Sequence, residues 1–155
     1  MIYTIGYARL TPAKLATILD LLRVGELLDT RSSPRTRVAG FGWKQLRDRF
    51  PALYEYRGDS LGGRAPIEPT ALEWLAQRSR EYARPIMLMC MEESPGECHR
   101  HHAIALPLAQ QGAEVLHIYR SEVIEPQELQ RSIDADDDYD CEDLFSHAAA
   151  RAKKG

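Results

Sequence analysis

IMLMCM at residues 86–91, running into EESPGECHR at residues 92–100, is the stretch that decides how this chain folds. Six consecutive apolar residues have no polar face, so they fit a strand covered on both sides, as at the middle of a parallel sheet. The turn formers Ser94, Pro95 and Gly96 then break the chain, and a helix is expected from Cys98 through Gln111, ended by Gly112. Beyond it Glu114 to Ile118 (EVLHI) has strand character. A buried strand, a turn, a helix and another strand together make a parallel crossover unit.

The same alternation extends upstream. Met1 to Ile5 is apolar and β-prone and meets Gly6, as a buried strand ending at a tight turn does. Thr11-Pro12 supplies an N-cap and a first-turn proline, and Leu15, Ile18, Leu19 and Leu22 recur at helical spacing until Gly25. Glu26 to Thr30 (ELLDT) is the second expected strand, followed by a long loop, Arg31 to Gly42, dense in Ser, Pro, Gly and Arg. A short helix over Trp43–Phe50, a third strand over Leu53–Tyr56 and a glycine-bearing loop (GDSLGGRAP) lead to a helix that Pro69 opens and Pro85 stops. The expectation is an α/β domain over residues 1–133 with a mostly parallel open sheet of about five strands and helices on both faces. One short helix is expected beyond Glu125. Residues 134–155, opening with DADDDYD, read as an acidic segment and C-terminal tail, linker-like or helical.

Length and composition agree with one core. The chain has 155 residues, 44% hydrophobic and 28% charged, within the range for a globular domain and without a run that could span a bilayer. The start lacks the basic and long apolar regions of a secretory leader, so a cytoplasmic location is expected. Three cysteines make no disulfide framework. A net charge of −3 argues against a general polyanion binder, while leaving room for local basic clusters that hold a phosphate. Composition leaves the oligomeric state open.

In parallel sheets ligands gather beyond the carboxyl ends of strands, so the residues that follow each strand carry the functional expectation. After the first come Gly6 and Tyr7. After the second, Asp29 leads into Arg31, Ser32, Arg35 and Arg37, a grouping suited to gripping phosphate or carboxylate. Asp29 either pairs with one of those arginines or serves as an acid or base. After the fourth strand come Cys90 and Glu92, then Cys98, His99 and Arg100 at a helix start that favours a thiolate. Cys98 is thus either the nucleophile or a small buried residue, and Cys90 is core or a resolving partner. Gly63 and Arg64 let backbone amides approach a ligand or form a plain turn. The spacing of Cys90, Cys98, His99, His101 and His102 is not that of a zinc finger, and neighbouring helical residues cannot all face one ion. No metal or other cofactor is therefore expected.

TIGYA at the start, DTRSSPRTR after the second strand, LGGR in the middle and CMEESPGECHR near the fourth together resemble the bacterial family catalogued as domain of unknown function 488. The order and spacing match from the N-terminus to about residue 120. The resemblance implies a parallel-sheet α/β domain with a motif-lined cleft, and points to Asp29, Arg31, Pro34, Glu92, Cys98, His99 and Arg100. Tyr7 and Ala8 stand where that family usually has histidine and serine, and FGWKQL fits its pattern loosely. The expected function is an enzyme acting on a phosphate-bearing substrate, a nucleotide or nucleic acid, with Asp29 or Glu92 as acid or base. The alternatives are thiol chemistry at Cys98, nucleophilic or redox, and a non-catalytic module binding nucleic acid or protein.

Overall fold

The apolar run becomes the strand Ile86–Cys90, all five of its residues buried. It lies inside a six-stranded sheet in the computed structural model, which describes residues 1–120 and 122–135. We number the strands β1 (Ile2–Gly6), β2 (Glu26–Asp29), β3 (Tyr54–Tyr56), β4 (Ile86–Cys90), β5 (Val115–Tyr119) and β6 (Glu122–Ile124). Their spatial order is β3-β2-β4-β1-β5-β6, and all neighbours are parallel except β5 and β6. Gly6 pairs with Cys90 and Asp29 with Met89, so the first loops of β1, β2 and β4 leave the sheet at one level.

Helices cover both faces: α1 (Pro12–Leu21), α2 (Trp43–Arg49), α3 (Gly58–Leu61), α4 (Pro69–Glu81), α5 (Leu106–Gln110) and α6 (Pro126–Ala135). Helix α1 starts as its sequence dictates, with Thr11 Oγ1 accepting from Lys14 N at 3.2 Å and Pro12 in the first turn. The alternation of β4 splits the core into two layers. Met87 and Met89 pack with Leu15, Leu19, Leu46 and Phe41, whereas Ile86 and Leu88 pack with Leu75, Ile104 and Leu108. Each such side chain contributes about 1.5–3 kcal/mol when fully buried, so the two-sided coverage of β4 anchors the fold.

Two features depart from the sequence pattern. The strand β6 is added antiparallel to β5, reached through Arg120 at φ 47°; its three residues are too short to stand out in EVIEP. The expected helix from Cys98 does not begin there. Cys98 is extended, with φ −121° and ψ 142°, after a tight turn over Pro95–Glu97. A wide π-type turn over Arg100–Ala105 follows, a geometry common near functional sites, before α5. The acidic run keeps only Asp134 and Ala135 inside α6; from residue 136 onward the expected tail lies outside the described residues. Among the described residues no helix is long and apolar enough to cross a membrane.

A buried polar chain ties the sheet to the π-type turn and α6. Thr4 Oγ1 lies 2.6 Å from His117 Nδ1, His117 Nε2 lies 3.0 Å from His101 Nδ1, and His101 Nε2 lies 3.0 Å from Gln130 Oε1. The carbonyl oxygen of Gln130 only accepts, so His101 holds its proton on Nε2, His117 donates from Nε2, and Thr4 donates to His117 Nδ1. That direction satisfies every member with both rings neutral. Burial pushes His117 well below its ordinary value of 6.5, reinforced by the charge of Arg100, and burial likewise lowers His101 to about 4. A histidine lowered on folding contributes full stability above the unfolded value of 6.5 and loses it as pH falls from there, because the unfolded chain takes up the proton first. The urea midpoint should therefore drop between neutral pH and a pH of about 5, by up to roughly 1.4 kcal/mol per pH unit for each histidine. A midpoint constant over that range would exclude neutral buried rings.

Candidate active site

The connection leaving β2 runs outward to β3, while that leaving β4 crosses β1 to β5. Between these adjacent strands the two connections part, and a crevice opens where they do. It is a cleft of about 480 Å³. The β2 loop supplies Arg31, Ser32, Ser33, Arg35 and Thr36; β4 and its loop supply Cys90, Met91 and Glu92; Tyr7, Gly63, Arg64 and His99 complete the lining. The arginine-rich loop and the cysteine-histidine segment, 54 or more residues apart in sequence, thus line one cleft.

Arg31 is fixed before any ligand arrives. Its Nε and Nη2 donate to the two oxygens of Asp29 at 2.7 and 2.5 Å, and its Nη1 donates to Tyr7 Oη at 3.2 Å and to the Phe41 carbonyl at 2.9 Å. Tyr54 Oη donates to Asp29 Oδ2 at 2.7 Å, and the backbone N–H of Arg31 donates to Oδ1. Burial opposes the charge on Arg31, but Asp29 outweighs it and keeps the guanidinium protonated. Burial together with the same carboxylate pushes the Tyr54 phenol above its ordinary range, so it stays a donor. Tyr7 stacks on Phe41 with ring centroids 4.5 Å apart, and the Arg31 guanidinium sits over the Tyr7 ring.

On the opposite wall the side chain of Cys90 donates to Glu92 Oε2 at 3.1 Å. Burial works to raise Glu92, but its contacts with Cys98 and Cys90 and the charge of Arg100 outweigh it and hold the carboxyl below its ordinary range. His99 Nε2 lies 3.0 Å from the Leu61 carbonyl, which only accepts, so the ring carries its proton there. Nδ1 then faces the sulfurs of Cys98 at 3.7 Å and Cys90 at 3.9 Å. The two cysteines titrate as one pair: contact with Cys90, helped by His99 and Arg100, lowers Cys98, while contact with Cys98 and burial raise Cys90, so the proton the pair retains rests on Cys90. Gly63 is required for this arrangement, because a Cβ there would stand 2.7 Å from His99 Cγ.

Five expected site residues are placed elsewhere. Asp29 is fully buried and its oxygens are taken by Arg31 and Tyr54, so it is the arginine's counterion rather than an acid or base. Arg100 is fully buried beneath the β4 loop, donating to the carbonyls of Glu92 at 2.6 Å and Glu93 at 2.9 Å; it shapes the loop and does not line the cleft. Gly6 also supports that loop, since a Cβ there would lie 1.7 Å from the Glu92 carbonyl oxygen. Arg37 is exposed outside the lining residues. Cys98 is 2% exposed and sits behind the wall, where Cys90 rather than Cys98 meets the cleft. Arg31, Ser32, Arg35, Gly63, Arg64, Tyr7, Glu92 and His99 do line it.

Sequence reading does not single out Tyr54, Phe41 or the Leu61 carbonyl. Tyr54 approaches Asp29 only because β3 pairs parallel with β2, and no local pattern announces that pairing. No protein-family model, curated protein or solved structure matches this chain. The resemblance to the domain of unknown function 488 therefore rests on the quoted motifs alone.

Proposed function

We propose that the protein is an enzyme acting on a small phosphate-bearing substrate of the nucleotide class, with Glu92 as the acid–base group. The observation that carries this reading is the shared cleft, where Arg31, Arg35 and Arg64 and the hydroxyls of Ser32, Ser33 and Thr36 line the same space as Glu92 and His99. Arginine forks match the paired oxygens of a phosphate, and a fixed Arg31 spends no further ordering on binding. A carboxylate in the same cleft can take a proton from an attacking water or hydroxyl while the guanidinium groups stabilise charge that develops on the leaving side. The net charge of −3 and the size of the cleft favour a small molecule over a polynucleotide. We place this activity in the cytoplasm, where the buried thiols stay reduced.

Calorimetric titration with a nucleoside monophosphate and with pyrophosphate tests the reading. The Arg35→Ala, Arg64→Ala double variant should bind at least about tenfold more weakly, as expected for loss of charge-assisted hydrogen bonds. Glu92→Gln should retain binding and lose turnover on a phosphate ester found by screening. Equal affinity in the wild type and the double variant, or full turnover by Glu92→Gln, rejects the assignment.

A further inference from the structure

Sequence spacing argues against a metal because neighbouring helical side chains diverge, and that premise does not hold in the fold. Cys98 is extended and precedes the π-type turn, so its side chain and that of His99 converge on Cys90 at the end of β4. One ligand atom from each of the three lies within 4.8 Å of the other two. We propose that Cys90, Cys98 and His99 hold a thiophilic divalent cation of the zinc class, with a fourth position open to the cleft.

The distances suit that ion. Zinc–sulfur bonds of about 2.3 Å and zinc–nitrogen bonds of about 2.0–2.1 Å at a tetrahedral angle separate sulfur from nitrogen by about 3.6 Å. His99 Nδ1 stands 3.7 and 3.9 Å from the two sulfurs, so both nitrogen–sulfur edges fit a cation to within a few tenths of an ångström, and the sulfur–sulfur edge is no longer than 4.8 Å. The histidine is oriented as metal-binding imidazoles are: the Leu61 carbonyl accepts from Nε2 and leaves Nδ1 free to ligate. Two thiolates and a neutral imidazole match the soft ligand preference of zinc over magnesium or calcium.

Three protein ligands and one open position are the arrangement of a reactive zinc rather than a purely architectural one. Cys90 and His99 line the cleft, so the open side points to the space shared by Glu92 and the arginines. A water or a phosphate oxygen there completes the coordination and brings the substrate's anion within reach of a Lewis acid. The site itself stands on the three ligands and does not depend on the nucleotide reading.

Cobalt(II) titration of the reduced full-length protein provides the test, because sulfur ligation gives charge-transfer absorption that oxygen ligation does not. Bands saturating at one equivalent are expected in the wild type and in Cys141→Ser, and their loss in Cys90→Ser and Cys98→Ser. Gly63→Ala, which pushes a methyl group against the His99 ring, should bind about 10–100-fold more weakly, as when an imidazole loses its support. X-ray absorption on the zinc-loaded wild type should show two sulfur ligands and at least one imidazole, a readout independent of whether the cysteine variants fold. Absence of charge-transfer bands, bands that survive both serine substitutions, an unchanged affinity in Gly63→Ala, or a zinc shell without two sulfurs would overturn the proposal. Phosphate binding by the metal-free protein is measured separately, so failure here leaves the anion reading standing.

Discussion

Replacing Asp29 with alanine should cost about 3–5 kcal/mol of unfolding free energy, the range found when one member of a buried ion pair is removed. Asp29 is fully buried and Arg31 is 5% exposed. Without the carboxylate, the guanidinium keeps its charge in a place water reaches poorly, and two of its donors lose their acceptor together with Tyr54 Oη. Urea unfolding measures the loss. Its attribution is checked by a paired variant: replacing Asp29 and Arg31 together with apolar residues of similar volume should recover much of the stability, because no unpaired charge then remains. A loss in Asp29→Ala below about 1 kcal/mol would show that the pair is held far more loosely than its geometry states.

Gly6→Ala should be the next most damaging single change, at about 3 kcal/mol, the upper end of the usual cost of overpacking. The added methyl group would lie 1.7 Å from the Glu92 carbonyl oxygen and 2.5 Å from its carbonyl carbon, and both are backbone atoms that cannot rotate aside. The same carbonyl accepts from Arg100, so the β4 loop is held against Gly6 from behind. Relief requires shifting that loop, and with it the Glu92 side chain. The variant should therefore show both a lowered urea midpoint and weakened binding of a nucleoside monophosphate. Wild-type stability in Gly6→Ala would mean that β1 and the β4 loop lie further apart than described.

Legibility in the sequence followed the range over which each signal acts. IMLMCM announced a two-sided strand because burial on both faces removes polar residues from every position, and Thr11-Pro12 announced α1 because capping is local chemistry. The cleft's two walls were legible from their position after β2 and β4. The roles within them were not. Whether Asp29 meets substrate or Arg31, and whether Arg100 faces the cleft or the underside of a loop, depends on side-chain directions that tertiary packing sets. The same holds for the convergence of Cys98 and His99, where an extended residue stands at a position whose flanking sequence favours helix.

The bonds of Arg31 also bear on selectivity. A guanidinium has five N–H groups, and those of Nε, one on Nη2 and both on Nη1 are already engaged, which leaves a single proton to offer. Such a residue cannot swing to follow a ligand; under the proposed anion binding it would mark one point in space for an anion oxygen to reach. Arg35 and Arg64, both exposed, are free to adjust around that point. Discrimination among anions of equal charge would accordingly depend on the distance between the oxygen that finds Arg31 and the rest of the molecule, much as a ruler works from one fixed end.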